Sequence, residues 1–318
     1  MQKFAIAAAL TASLALSGAA RAEEFPARPV RVIVPLAAAG PADAIARLFA
    51  KHASDIWKQP VLIENRPGAA GLIGTQAVAR SNPDGYTLLF GVPSLTVFKV
   101  LIKNPAVDTE RDLAPISQIL SGPYGVAVPG SLPVNTLAEF IAYAKARPGQ
   151  LNYASIAGGQ TLAVELFRNV TGINLVRVAY AAAPSMIALG NGDVHLGFDS
   201  LFTLSPHVAS GKVKVLAVTT AVRAPGWPNT PTVAEAGIPG YDVGFWFGIL
   251  GPAGMARELQ AKIAQEVAAF VKTPDTAALF GRFGYIPVGS APEPFARYLA
   301  DEIKLWSEVA RYANVAPQ

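Results

Sequence analysis

From residue 30 onward, short runs of apolar residues alternate with longer amphipathic stretches, in a strand-then-helix rhythm. The first run, Val30-Arg31-Val32-Ile33-Val34, is almost continuously β-branched. That composition predicts a parallel strand covered on both faces. After a loop of small residues, Ile45, Leu48, Phe49 and Ile56 fall on one helical face, and Pro41 suits the first helical position. Further strands are expected over residues 61–65, 86–90, 126–128, 175–180, 192–199, 213–219 and 245–252, with another ending at Ser155. Thr136 and Glu139 form a capping box before a helix, and Thr232 and Glu235 form a second one. Two amphipathic helices close the chain, through Leu259, Ile263, Val267 and Phe270 and then Phe295, Leu299, Ile303 and Trp306. They are expected to pad the first domain. The spacing predicts an α/β protein with parallel sheets and right-handed crossovers, with a second α/β run opening near Ser121-Gly122-Pro123-Tyr124.

Two strand-to-helix loops are nearly bare of side chains. One is Leu36-Ala37-Ala38-Ala39-Gly40, followed by Pro41 and Asp43; the other is Ser155-Ile156-Ala157-Gly158-Gly159-Gln160-Thr161. At such a loop a ligand approaches the free N–H groups of the helix start, where the dipole favours an anion. Two starts facing each other would clamp one, each end contributing about 0.3–1 kcal/mol. Pro41 removes one donor, and Asp43 competes for the positive end. Ordinary tight turns are the alternative reading of both loops. Ser94 follows the third strand; Tyr180 ends a strand of the second run and Ala181 follows it. Asp199, at the end of a strand, either meets a ligand amine or hydroxyl or caps the next segment. The aromatic run Phe245-Trp246-Phe247 either stacks on a ligand or plugs a core.

Composition narrows the chemistry. The 318 residues are 52% hydrophobic, enough for a large core and two domains. There is no cysteine, which excludes thiol catalysis and disulfides. The three histidines, at 52, 195 and 207, have no metal-ligand spacing, so no metal or other cofactor is expected. His195 and His207 have no visible acid partner for acid–base work. The glycines after the second strand do not match a dinucleotide fingerprint, and there is no nucleophile elbow or phosphate loop. The net charge is +4, with half of it from Lys3 and Arg21, and no basic run interleaves with aromatics. Nucleic acid is therefore not an expected partner. The balance favours binding over catalysis.

Residues 1–22 have the form of a secretory signal peptide. Lys3 is the basic start, residues 4–16 are apolar, and Ala20-Arg21-Ala22 fits the cleavage pattern. Cleavage after Ala22 and an exported soluble protein are expected.

Five segments, in order along the chain, carry a resemblance. They are Arg28-Pro29-Val30-Arg31-Val32-Ile33-Val34-Pro35, Glu64-Asn65-Arg66-Pro67-Gly68-Ala69-Ala70-Gly71, Pro83-Asp84-Gly85-Tyr86-Thr87-Leu88-Leu89, Leu216-Ala217-Val218-Thr219 and Pro231-Thr232-Val233-Ala234-Glu235-Ala236-Gly237-Ile238-Pro239-Gly240-Tyr241. The chain resembles the Bug family of periplasmic solute-binding proteins, the binding component of tripartite tricarboxylate transporters. The resemblance implies a two-lobed type II periplasmic binding fold, with two parallel-rich sheets and a ligand cleft between the lobes. Applied here, residues 1–22 are the signal peptide, 23–122 the first part of lobe 1, 123–242 lobe 2, and 243–318 the return to lobe 1. It implies a periplasmic, non-enzymatic protein that captures a small carboxylate and delivers it to the membrane subunits of a transporter. An exported sensor subunit that signals to a membrane receptor is the alternative.

The family's ligand loops map onto residues 36–43 and 155–161. The pattern departs there. The usual Phe-Pro-Ala-Gly-Gly is Leu36-Ala37-Ala38-Ala39-Gly40, and the second loop is about two residues short, with Thr161 in place of the usual histidine. The usual Val-Pro-Tyr-Lys-Gly is Val178-Ala179-Tyr180-Ala181-Ala182, which loses a cation. These changes lead us to expect a ligand less charged than citrate, such as an aromatic or aliphatic monocarboxylate.

Overall fold

The structure, a computed structural model, describes residues 25–156, 159–180, 182–313 and 315. The signal-peptide segment and its cleavage site lie outside the described residues.

In β1 (Val30–Val34) every residue but Arg31 is buried. It pairs in parallel with β2 (Val61–Asn65) and with β3 (Thr87–Gly91). Between β1 and β2 runs α1 (Pro41–Trp57), which buries Ala42, Ile45, Ala46, Phe49, Ala50, Ala53 and Trp57. The buried stripe is centred slightly off the one expected: Ile45 and Phe49 are inside, Leu48 is at the edge, and Ile56 is exposed. The stripe is set by the alanines, whose small side chains let the helix sit close to the sheet. Helix α2 (Leu72–Ala79) follows, and two single-turn helices, α3 (Phe98–Leu101) and α4 (Thr109–Asp112), lead into β4 (Leu113–Pro129).

The 17-residue β4 belongs to both lobes. Residues 113–123 pair antiparallel with β9 (Gly244–Pro252), which also pairs with β3. Residues 124–129 pair antiparallel with β7 (Gly197–Ser200) and β8 (Val213–Val218). The sequence pattern indicates only its last few residues, because Gly122-Pro123 reads as a break. In the fold those residues are where the strand passes from one sheet into the other.

The second lobe adds α5 (Leu137–Lys145), β5 (Leu151–Ile156), α6 (Gly159–Thr171), β6 (Leu175–Tyr180), α7 (Ala182–Asn191) and α8 (Leu201–Ala209). β5 and β6 are parallel, and Tyr153 of β5 bridges to Leu196, the residue just before β7. Among the named strands of the described residues, the parallel pairs are β1–β2, β1–β3 and β5–β6; the crossing strands β4 and β9 pair antiparallel. A chain that leaves a lobe and returns must run back beside its own outgoing strand, and that reversal overrides the helix-linked parallel pattern.

The capping box at Thr136 is formed, with Glu139 N–H donating to the threonine hydroxyl at 3.1 Å. The one at Thr232 is reciprocal, at 3.0 and 2.8 Å, yet it stabilises a turn and no helix follows. The final elements are α9 (Arg257–Phe270), α10 (Pro274–Phe283), β10 (Ile286–Pro287) and α11 (Pro292–Tyr312). The apolar spacing does not indicate α10. α9 packs on α1 and β4 as expected of padding for the first lobe. α11 lies on β4 but also reaches α6, and α10 packs on α8, with the rings of Phe202 and Phe283 4.5 Å apart. The C-terminal helices therefore touch the second lobe as well as the first.

Candidate ligand cleft between the lobes

A cleft of about 710 Å³ opens where the two sheets meet. Its first wall is the loop after β1. Gly40 caps α1 with no side-chain hydrogen bond, so the N–H groups of Ala42 and Asp43 have no partner within the helix. The loop is tied from behind. Asp43 accepts from the Ala39 N–H at 3.1 Å and from Arg47 Nε at 2.9 Å. Arg47 also donates to Asn65, whose amide donates to the Leu36 carbonyl at 3.2 Å. Burial raises the Asp43 carboxyl, but the hydrogen bonds from Arg47, Ala39 and Asn65 outweigh it and hold it below the usual carboxylate value. Ala39 sits at φ 69°, a left-handed conformation that turns the chain into the helix.

The opposite wall begins at the start of α6. A Cβ on Gly159 would lie 3.7 Å from both Pro93 and the Tyr124 hydroxyl. The second lobe's helix start therefore stands against the turn after β3 and against the crossing strand. Ser155 and Thr161 sit behind this start, hydroxyl to hydroxyl at 2.9 Å, and Arg177 Nε donates to Ser155 at 2.9 Å.

Of the sequence-predicted site residues, Leu36, Ala39, Gly40, Ser94, Gly159 and Asp199 line this one cleft. Ala37 and Ala38 belong to the same loop but turn to solvent. Asp43, Ser155 and Thr161 hold the loops from behind and do not face the cleft. Ile156 ends β5, and Tyr180 packs in the second lobe's smaller core cluster. Ala157, Gly158 and Ala181 lie outside the described residues. Trp246 is placed elsewhere: it is fully buried, edge-on to Phe295 and Tyr298 at 5.4 and 6.3 Å.

Part of the cleft's lining escapes a reading of the sequence, which offers the run at 245–247 for stacking without saying which of its rings face a ligand. Phe245 and Phe247, which flank Trp246, face the cleft together with Tyr124, Met186, Phe202 and Thr203. The period-2 alternation of β9 is the available signal, since neighbours in a strand point to opposite faces. Tyr124, Phe245 and Phe247 form a chain of rings with successive centroids 5.5 Å apart. Among the described lining residues there is no lysine or arginine; Asp199 is the acid and His207 the only basic side chain. Asp199 is 6% exposed, accepts the Ser200 N–H at 2.7 Å, and burial pushes its carboxyl up to about 6. Ser200, not Asp199, caps α8 through its hydroxyl. Behind the turn after β3, Glu302 accepts from Trp306 Nε1 at 2.8 Å and is pushed by burial to about 7. No group of three or more metal-ligating side chains occurs among the described residues, and no described helix is long and apolar enough to cross a membrane.

A model of the tripartite tricarboxylate transporter family receptor matches residues 45–315. The chain belongs to the tripartite tricarboxylate transporter receptor family. Protein BugT of Bordetella pertussis is 31% identical to this family member over 305 residues, covering 94% of each chain. The R. palustris protein Rpa4515, solved with adipate, is 35% identical with a TM-score of 0.85, covering 93% of this chain and 100% of its own. The periplasmic binding protein BugD is 30% identical with a TM-score of 0.81, covering 92% and 100%. The fold of this receptor-family chain is accordingly the two-lobed α/β fold of periplasmic solute-binding proteins, with its cleft between the lobes.

Proposed function

We propose that this protein captures a small carboxylate in the interlobe cleft and delivers it to the membrane subunits of a tripartite tricarboxylate-type transporter. One observation carries the reading: two helix N-termini, one from each lobe, open on a single cleft. Gly40, Pro41 and Ala42 form one side and Gly159 and Gln160 the other. The N–H groups of a helix start suit an anion, and those of α1 carry no side-chain cap. A ligand that touches both lobes also favours their closed arrangement, which is a differential affinity for one state. The apolar lining and the lack of a lysine or arginine among the described lining residues favour a monocarboxylate over citrate. The adipate bound to Rpa4515 is in keeping with a carboxylate guest. Binding, not catalysis, is the role, and it is exercised in the periplasm after the first 22 residues are removed.

A thermal-shift screen of carboxylates against the mature chain tests this, because a ligand that prefers the folded state raises its melting temperature by mass action. At least one monocarboxylate should raise it, confirmed by calorimetry at one site per chain. Tight citrate binding with monocarboxylates inert would reject the monocarboxylate preference. Stabilisation by cations or neutral solutes alone would reject the carboxylate reading.

A further inference from the structure

Asp199 is a buried acid that the carboxylate reading does not use. It lines a cleft proposed to hold an anion, yet it enters no ion pair among the described residues. An ionised carboxylate removed from water is costly unless a cation or several donors meet it. Three donors meet it, the Ser200 N–H at 2.7 Å and the Ser200 and Thr203 hydroxyls, and all three are neutral. Tyr124 and Tyr285, whose buried hydroxyls carry no charge at neutral pH, stand near it, and His207 lies further along α8. None of these supplies a fixed positive charge. Tyr124, near Asp199, begins the ring series Tyr124, Phe245 and Phe247 that lines the same cleft, and aromatic faces attract a cation by about 0.5–2 kcal/mol.

Resting on the carboxylate reading above, we propose that the physiological guest is a monocarboxylate bearing a cationic nitrogen, a free or methylated ammonium. Its carboxylate lies at the helix starts of α1 and α6, and its nitrogen between Asp199 and the aromatic series. The bound cation replaces the water that Asp199 gives up. A second carboxylate at the same place would face Asp199 and be repelled, which gives selectivity against dicarboxylates.

The test is calorimetry on the mature chain at pH 8 with three straight-chain series of matched length. These are ω-ammonio or ω-trimethylammonio carboxylates, methyl-terminated carboxylates, and α,ω-dicarboxylates. The first series should bind about tenfold or more tighter than the second, a difference of about 1.4 kcal/mol. In Asp199→Asn, shown folded by circular dichroism, that ratio should fall to within about twofold, the scale of a lost charge pair. Methyl-terminated carboxylates or dicarboxylates binding as tightly as the zwitterions overturns this inference and leaves the carboxylate reading standing. An Asp199→Asn ratio equal to wild type also overturns it. No binding across all three series overturns both.

Discussion

Asp43 Oδ2 receives the Arg47 Nε–H at 2.9 Å and the Ala39 N–H at 3.1 Å, joining the first turn of α1 to the loop that precedes it. The acid expected to compete with a ligand for the helix start is instead the clasp that shapes the ligand loop. Asp43 is buried, whereas Arg47 is largely exposed, so the two partners are not equivalent. Removing the acid leaves the Ala39 N–H and the Arg47 guanidinium without their shared acceptor; removing the arginine leaves a carboxylate that keeps one donor. Asp43→Ala should cost about 1–3 kcal/mol in urea unfolding, and Arg47→Ala less than about 1 kcal/mol. Because the folded carboxyl lies below its ordinary value, its stabilisation is full above about pH 4 and is lost as pH falls through the lowered value. The acid limb of a melting-temperature profile should therefore be shallower in Asp43→Asn.

Asp199 and Glu302 behave in the opposite sense. Their folded values are raised, to about 6 and about 7, so the native state binds more protons than the unfolded chain between about pH 4 and those values. Stability owed to these groups falls as pH rises across that window and is constant above it. Without ligand, Asp199→Asn and Glu302→Gln should each gain on wild type from about pH 4.5 to about pH 7.5, on the order of 1–3 kcal/mol. Parallel pH profiles for variant and wild type would contradict this.

Gly159 separates stability from binding. Its added Cβ would make only ordinary contacts at 3.7 Å, with Pro93 and Tyr124, so Gly159→Ala should fold. In the first turn of α6 the alanine should stabilise the free protein by about 0.4–1 kcal/mol through the unfolded chain. The same methyl intrudes between the lobes and covers an amide of the helix start, so affinity for the carboxylate should drop several-fold. A melting temperature that rises while calorimetric affinity falls is the expected pair of results.

Along β9, adjacent aromatics should answer differently. Trp246→Ala opens a cavity beside Phe295 and Tyr298 and should cost about 3–5 kcal/mol. Phe247→Leu keeps most of the packed volume but removes a ring from the cleft wall. It should weaken ligand binding more than it lowers stability, by about 0.5–1.5 kcal/mol of binding free energy. Unfolding curves and titrations on the two variants give the comparison directly.

Local pattern carried β1, α1, β6, the bare loop at 36–40 and the capping boxes, because each depends on neighbours within a few residues: side-chain period, helix-end donors, a turn residue. The order of those segments was also enough to indicate two lobes through the family resemblance. Folding in three dimensions decided which of these surfaces meet. β4 runs through both sheets because antiparallel partners far along the chain, β8 and β9, extend it past Gly122-Pro123. Asp43 became a clasp because Ala39 and Arg47 converge on its carboxylate, and Asp199 became a cleft residue because Ser200 took the capping role. Trp246 went to the core and its neighbours to the cleft because the pleat sends alternate side chains to opposite faces, and only the sheet's surroundings say which face is which.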